Sequence, residues 1–200
     1  MNALFIARMD KRYYYLSAFV AFFLALLVDD YVVSLMAENQ VLVLTVFFNA
    51  MTKIGTFIFI PFLILTFYLW NSKNKEKIIP LWLSLGLSLA VTYFLKFSVQ
   101  KPRPEQALGI KAAINETGYG FPSAHATAAF SALPLFDKVL VNWSLAWNVL
   151  AILIAFSRIY LGVHYLSDVI AGAIIGYGIA DFISSERGNK LVRKINFLKK

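Results

Sequence analysis

The sequence predicts an all-α, integral-membrane bundle of six transmembrane helices with an extra interfacial helix around 31–52, and three observations predict it. Hydrophobic residues make up 60% of the 200-residue chain, too large a share for an ordinary soluble domain. Long stretches lack Lys, Arg, Asp and Glu altogether: 13–28, 39–52, 54–72, 78–95, 117–136, 139–157 and 169–180. A membrane helix needs about 20 predominantly apolar residues, and several of these runs qualify. Third, the basic residues gather between alternate runs, on one side of the bilayer. Two hundred residues suit one domain, expected to cover 1–200.

The first crossing is expected at 13–30. Residues 1–12 are basic, the order of a signal peptide, but Asp29 and Asp30 follow the apolar run without a small-x-small cleavage pattern, so the segment is expected to stay. Within 31–52 the uncharged part has 14 residues, which fits an interfacial or re-entrant helix better than a span. The second and third crossings are expected at 54–71 and 78–96. The fourth, 123–138, is short; Pro134 is expected to bend it, and its Ala, Ser and Thr residues suit close packing. The fifth and sixth follow at 139–157 and 159–180. Along the sixth, Gly172, Gly176 and Ala180 form a small-residue row, suited to a neighbouring helix that holds the chemical end in place, to an unrelated seam, or to a second copy.

Six crossings put both termini on one side. That side then holds 13 of the 19 basic residues and five of the 11 acidic ones, so the whole net charge of +8 lies there. The positive-inside rule makes this face cytoplasmic and the protein a multi-pass cell-membrane protein. The basic C-terminal tail is an orientation signal and a contact for anionic membrane lipids. Nucleic-acid binding is not expected, because no aromatic-interleaved basic groove accompanies the tail. The absence of cysteine removes disulfides and thiolate metal sites.

Ionisable groups at membrane depth are costly and mark function. Span parity puts Lys96, Arg103, Ser123, His125, Arg158, His164 and Asp168 at one level on the outer face, and the chain's only two histidines are among them. His164 and Asp168 stand four residues apart, neighbours on one helical face. The carboxylate there holds one ring nitrogen's proton and leaves the other nitrogen basic, as for an oriented nucleophile or general base. Lys96, Arg103 and Arg158 supply cations for a phosphate's oxygens, and Ser123 with the N–H groups opening a helix at 123–125 adds donors. His125 stands where it would give a proton to a leaving oxygen. Phosphoryl transfer is mostly positioning and charge neutralisation, and this inventory supplies both without a metal; no clustered zinc ligands are visible. Taken singly, Asp168 and Arg158 also fit an outer-face salt bridge, and His125 a helix cap.

Three motifs carry a family resemblance. Lys96-Phe-Ser-Val-Gln-Lys-Pro-Arg103-Pro104 resembles the K-x6-R-P motif of the type 2 phosphatidic acid phosphatase (PAP2) superfamily. Pro122-Ser123-Ala124-His125 is similar to its P-S-G-H motif, and Ser157-Arg158-x5-His164-x3-Asp168 to its S-R-x5-H-x3-D motif. The resemblance implies that His164 is the nucleophile forming a phosphohistidine and that Asp168 orients it. It implies that His125 protonates the leaving group and then activates water, and that Lys96, Arg103, Arg158, Ser123 and the Ala124 amide bind the phosphoryl group. Ala124 departs from the family's usual glycine, at no cost if the backbone there is an ordinary helical first turn.

The loop 97–121 is long for a compact domain, and is expected to cap the headgroup with Lys101, Glu105, Lys111 and Glu116 as candidate selectivity residues. The expected activity is metal-independent hydrolysis of a lipid phosphate or diphosphate at the outer leaflet, with undecaprenyl diphosphate favoured. Phosphatidylglycerophosphate or phosphatidic acid as substrate, and phosphotransfer to a lipid acceptor, are the alternatives. The expected partners are the lipid phosphate substrate and membrane lipids; no cofactor and no obligate protein partner are inferred.

Overall fold

A computed structural model describes residues 11–185 together with Gly188, Lys190 and Val192. Arg8, Arg187 and the basic tail 193–200, which contribute to the charge asymmetry, lie outside the described residues. The α-helices are α1 (Lys11–Glu38), α2 (Leu42–Thr56), α3 (Phe59–Trp70), α4 (Ile78–Val99), α5 (Pro104–Leu108), α6 (Ala124–Phe130), α7 (Leu133–Val139), α8 (Val141–Tyr160) and α9 (Leu166–Ile183). Among the described residues there is no strand. The chain is all-α, as expected.

By length and composition four helices are able to cross a membrane: Tyr15–Glu38, the Lys75–Leu108 stretch containing α4, α8 and α9. The pair α2–α3, bent by 57°, makes a fifth if it counts as one span. The outward face is apolar, with Leu27, Phe67 and Leu145 exposed as lipid-facing residues are.

Four expectations are corrected. The first helix does not stop near 30 but runs through Asp29 and Asp30 to Glu38, because buried Asp29 finds hydrogen-bond partners on α9 and in the 100–123 loop. The segment 31–52 is therefore not one interfacial helix: its first part belongs to α1, and its second is most of α2, packed against α8 and α6. The expected crossing at 54–71 is split by the α2–α3 break, where Pro61 removes the N–H that would bond to Phe57. The expected crossing at 123–138 is two seven-residue helices, α6 and α7. Pro134 does more than bend it; with no N–H to bond back to Phe130, it opens a new helix.

Helix α9 packs on α6, α4, α1 and α8, and its small-residue row is the seam with α6. A Cβ on Gly172 would stand 2.5 Å from the Ser123 carbonyl oxygen and 3.1 Å from Ala126 Cβ, and one on Gly176 would overlap the Thr127 carbonyl oxygen. The row thus holds the Ser123–Thr127 turn against α9 rather than facing outward. Replacing Gly176 with valine is expected to destabilise the fold by about 1–3 kcal/mol, read as a lower thermal midpoint in detergent. Away from the site, Phe62, Leu69, Leu81, Leu85, Ala132 and Ile154 form the core, with Trp147 stacked on Phe136 at 4.6 Å.

Candidate active site

The seven polar residues come together from four stretches of chain, at the start of α9. His164 is not on the helix, as the four-residue spacing suggested, but in the turn before it. Tyr165 is the N-cap of α9 and Asp168 its third residue. The carboxylate therefore faces back across the helix start: Asp168 Oδ2 accepts the Tyr165 N–H at 3.0 Å and lies 3.3 Å from His164 Nδ1. Burial first, and then the charges of Arg158, Arg103, Lys96 and Lys101, hold the His164 pKa well below the ordinary imidazole value. The ring is neutral at neutral pH; because a guanidinium can only donate, Nε2 is the accepting nitrogen and the proton lies on Nδ1, toward Asp168.

Arg103 lies against that second nitrogen. Its Nη1 is 3.2 Å from His164 Nε2 and donates to the Val163 carbonyl at 2.8 Å, while Nε and Nη2 donate to the Gly118 and Thr117 carbonyls. Arg158, in the last turn of α8, is fully buried; its Nη1 donates to Thr52 Oγ1 at 2.9 Å. Its ion-pair partner is Glu116, not Asp168 as the salt-bridge alternative had it. Glu116 also stands 3.6 Å from Arg103 Nη2, so one loop carboxylate bridges the two arginines. Lys96, near the end of α4, donates to the Tyr119 and Gly120 carbonyls at 2.7 and 3.2 Å.

Ser123 caps α6, and its N–H donates to the Asp168 carbonyl at 2.9 Å. Two donors, the Ser123 hydroxyl and Arg158 Nε, are buried without a hydrogen-bond partner. Buried polar atoms are nearly always paired, so these two are available to a bound oxyanion. Ala124 opens α6 with no positive φ, so alanine in place of glycine carries no strain. His125, in the first turn of α6, places Nε2 3.1 Å from Thr56 Oγ1.

The loop from Gln100 to Ser123 is a wall of the site, and it includes the short helix α5. Of the four candidate selectivity residues, Lys101 and Glu116 reach the site. Among the described residues Glu105 and Lys111 form no hydrogen bond or ion pair with its groups, and Lys111 is exposed.

Sequence reasoning missed the contribution of α2 and α1. Thr52 holds Arg158 and shares a hydrogen bond with Ser157 at 2.8 Å, and Thr56 meets His125. Between them Gly55 lets the helices close: a Cβ there would lie 2.7 Å from His125 Cδ2 and 2.8 Å from Ile154. Two threonines and a glycine, at 52, 56 and 55, in a largely apolar segment were the available signal. On α1, Asp29 bonds to Ser167 and Lys101, and a carboxylate inside an apolar helix was the signal there.

Comparison with known proteins gives the family. The family model described as the PAP2 superfamily matches residues 77–190, more than half of the chain. A relative in Escherichia coli (strain K12), YbjG, is named as a putative undecaprenyl-diphosphatase; it is 29% identical over 146 residues, 68% of this chain and 72% of that protein. A crystal structure described as the first transmembrane PAP2-type phosphatidylglycerolphosphate phosphatase from Bacillus subtilis covers 92% of this chain and 96% of that one. It has a TM-score of 0.68 and, at 21% identity, bears on the fold alone. The crystal structure of Aquifex aeolicus LpxE has a TM-score of 0.65 and 27% identity, over 75% of this chain and 90% of that one. The helices define a multi-pass membrane protein in which a histidine lies beside two buried arginines. The chain belongs to the PAP2 superfamily. By family it is a lipid phosphatase.

Proposed function

We propose that the protein hydrolyses a lipid phosphate or diphosphate, with undecaprenyl diphosphate favoured, without a metal and through a phosphohistidine on His164. The observation that carries the reading is the buried pair Arg103 and Arg158 gathered on one carboxylate, with Arg103 also touching His164 Nε2. An anion site next to a neutral, oriented imidazole is what in-line phosphoryl transfer to nitrogen needs. The name of the Escherichia coli relative supports the polyprenyl diphosphate.

In the proposed reaction the substrate's phosphoryl group takes the place of the Glu116 carboxylate between Arg103 and Arg158, with Lys96 and Ser123 beside it. His164 Nε2 attacks phosphorus, and the bond to the leaving oxygen breaks as that oxygen takes a proton from His125, which enters the step as the imidazolium paired with the bound phosphate and leaves it neutral. Water then gives a proton to His125 while its oxygen attacks phosphorus. The nitrogen–phosphorus bond breaks, inorganic phosphate leaves, and His164 is restored. Asp168 stabilises the ring through Nδ1–H throughout.

The proposed topology has both termini cytoplasmic and the site on the extracytoplasmic face. The contacts along α9 support it. Tyr15, early in α1, donates to Asp181 at the far end of α9, whereas Asp29 accepts from Ser167 at its start. Ser123, before α6, meets Asp168, and Lys138 in α7 pairs with Asp181 at 3.7 Å. Both α1 and the broken α6–α7 therefore run alongside the span α9. Counted with α2–α3, α4 and α8, they would give the six traverses of the proposed topology.

Phosphate release across undecaprenyl diphosphate, phosphatidylglycerophosphate, phosphatidic acid and a lipid A phosphate tests the substrate. The highest kcat/KM is expected for the polyprenyl diphosphate and in excess EDTA; loss of activity with EDTA, or a different preferred lipid, would overturn that part. Mass analysis with a lipid acceptor present separates hydrolysis from phosphotransfer. Vanadate is expected to inhibit as a mimic of the trigonal phosphoryl transition state. Glu116→Gln removes a competing negative charge, so the vanadate inhibition constant is expected to fall about fivefold, equivalent to about 1 kcal/mol. An unchanged or raised constant would show that the carboxylate does not compete.

A further inference from the structure

We propose that Lys101 and Asp29 are positioning residues for the reaction: Asp29 on α1 anchors the Lys101 ammonium, and Lys101 holds Asp168 in register with His164. The proposal rests on the reading of His164 as nucleophile. It brings α1, which lies outside the residues matched by the family model, into the working of the site.

The Lys101 ammonium has three donors, and three acceptors meet it: Asp168 Oδ1 at 2.9 Å, Ser167 Oγ at 3.1 Å and Asp29 Oδ2 at 3.2 Å. Its charge also lies over the Tyr165 ring, 4.1 Å from the centroid. A lysine so fully committed has no donor left for a phosphate, so its place in the site is to hold protein groups. What it holds is decisive. Asp168 is completely buried, and its two oxygens divide the work, Oδ1 toward Lys101 and Oδ2 toward the Tyr165 N–H and the His164 ring. A buried carboxylate stays ionised only with a counter-charge, and only a carboxylate that is ionised and fixed in rotation keeps the imidazole proton on Nδ1.

Asp29 completes the arrangement from across the bundle. It is buried, its Oδ1 accepts the Ser167 N–H at 2.8 Å, and its Oδ2 takes the Ser167 hydroxyl and Lys101. The Ser167 N–H belongs to the first turn of α9, where backbone donors lack intrahelical partners, so a carboxylate from α1 satisfies it. The chain also spends backbone energy to deliver Lys101. Helix α4 ends on Gln100 with φ 52° and ψ 33°, the left-handed region that a non-glycine residue occupies only when its surroundings enforce it.

The test uses the purified full chain in detergent with its preferred lipid, and compares Lys101→Met, Lys101→Arg, Asp29→Asn and His164→Ala. Lys101→Met is expected to lower kcat by about 10- to 100-fold with KM within about twofold of the parent. Lys101→Arg is expected to restore most of the loss, and Asp29→Asn to lower kcat by a smaller factor. Asp29→Asn is isosteric and reports even if Lys101→Met does not fold. Because the chain has only two histidines, isotope-labelled histidine gives two imidazole spectra. The Nδ1 proton of His164 is expected to be lost or exchanged between the two ring nitrogens in Lys101→Met and retained in Lys101→Arg. A kcat within twofold of the parent in Lys101→Met or Asp29→Asn would overturn the proposal while His164→Ala is inactive. So would a change confined to KM, an arginine variant no better than methionine, or an unaltered Nδ1 signal. Turnover retained by His164→Ala would overturn the nucleophile reading itself, and the proposal with it.

Discussion

Replacing His164 with alanine is expected to lower kcat by about 10⁴- to 10⁶-fold, the scale of removing a nucleophile that works as a unit with its base and orienting group. The effect is the largest expected because no nearby side chain substitutes. Arg103 and Arg158 are cations, and His125 bonds to Thr56 on α2 rather than joining the Asp168 pair. The fold is expected to survive, since the backbone N–H of His164 bonds to the Arg158 carbonyl at 3.2 Å whatever the side chain is. Phosphate release by purified protein, alongside its thermal midpoint, checks both halves. Retained turnover would mean that phosphorus is attacked by something else.

Asp168→Asn is expected to cost about 10³- to 10⁴-fold in kcat with little change in KM, because the wrong histidine tautomer is then favoured while the phosphate cradle is intact. Asparagine has the same shape and an amide oxygen that still accepts one bond. It cannot both accept from Lys101 on one atom and from the Tyr165 N–H and His164 on the other. Its NH₂ would instead face either the ammonium at 2.9 Å or the Nδ1 position at 3.3 Å. If the amide turns its nitrogen toward the ring, the proton moves to Nε2 and removes the lone pair that attacks phosphorus. Steady-state kinetics on the same lipid separate the outcomes: a KM effect alone would make Asp168 part of substrate binding instead.

Much of this site was legible in residue spacing. A lysine and two arginines, a serine and two histidines at the ends of apolar runs have few reasons to lie at one membrane level other than a shared anion. Pro134 also announced a bend in the fourth expected crossing, although not a break, and the break beside Pro61 was not expected. Pro134 separates α6 from α7 outright, and Pro61 breaks α2 from α3, because a missing N–H and a clashing ring leave no intermediate for a helix that short. The length of α1 was not legible. Asp29 and Asp30 read as the end of a span when their partners are unknown, and the partners of Asp29 are 72 and 138 residues away in the chain. For the same reason Thr52 and Thr56 gave a signal but no assignment: a threonine in an apolar run acquires a role only from what packs against it.

Residue order alone was enough to show a helical chain suited to a membrane, with a histidine and an aspartate four residues apart among cations. Apolar run lengths, charge placement and residue types are local quantities, and each follows from a short stretch of chain. That Glu116 sits between the arginines, that α2 reaches both Arg158 and His125, and that Asp29 and Lys101 stand behind Asp168 came from packing alone. Glu116 and Lys101 act from the loop, whereas α2 and α6 meet their neighbours at close approach, made possible where glycine replaces a side chain at Gly55, Gly172 and Gly176. Which buried charge finds which partner is settled by that packing, because in a low-dielectric interior every ion must be matched by whatever the neighbouring helix presents.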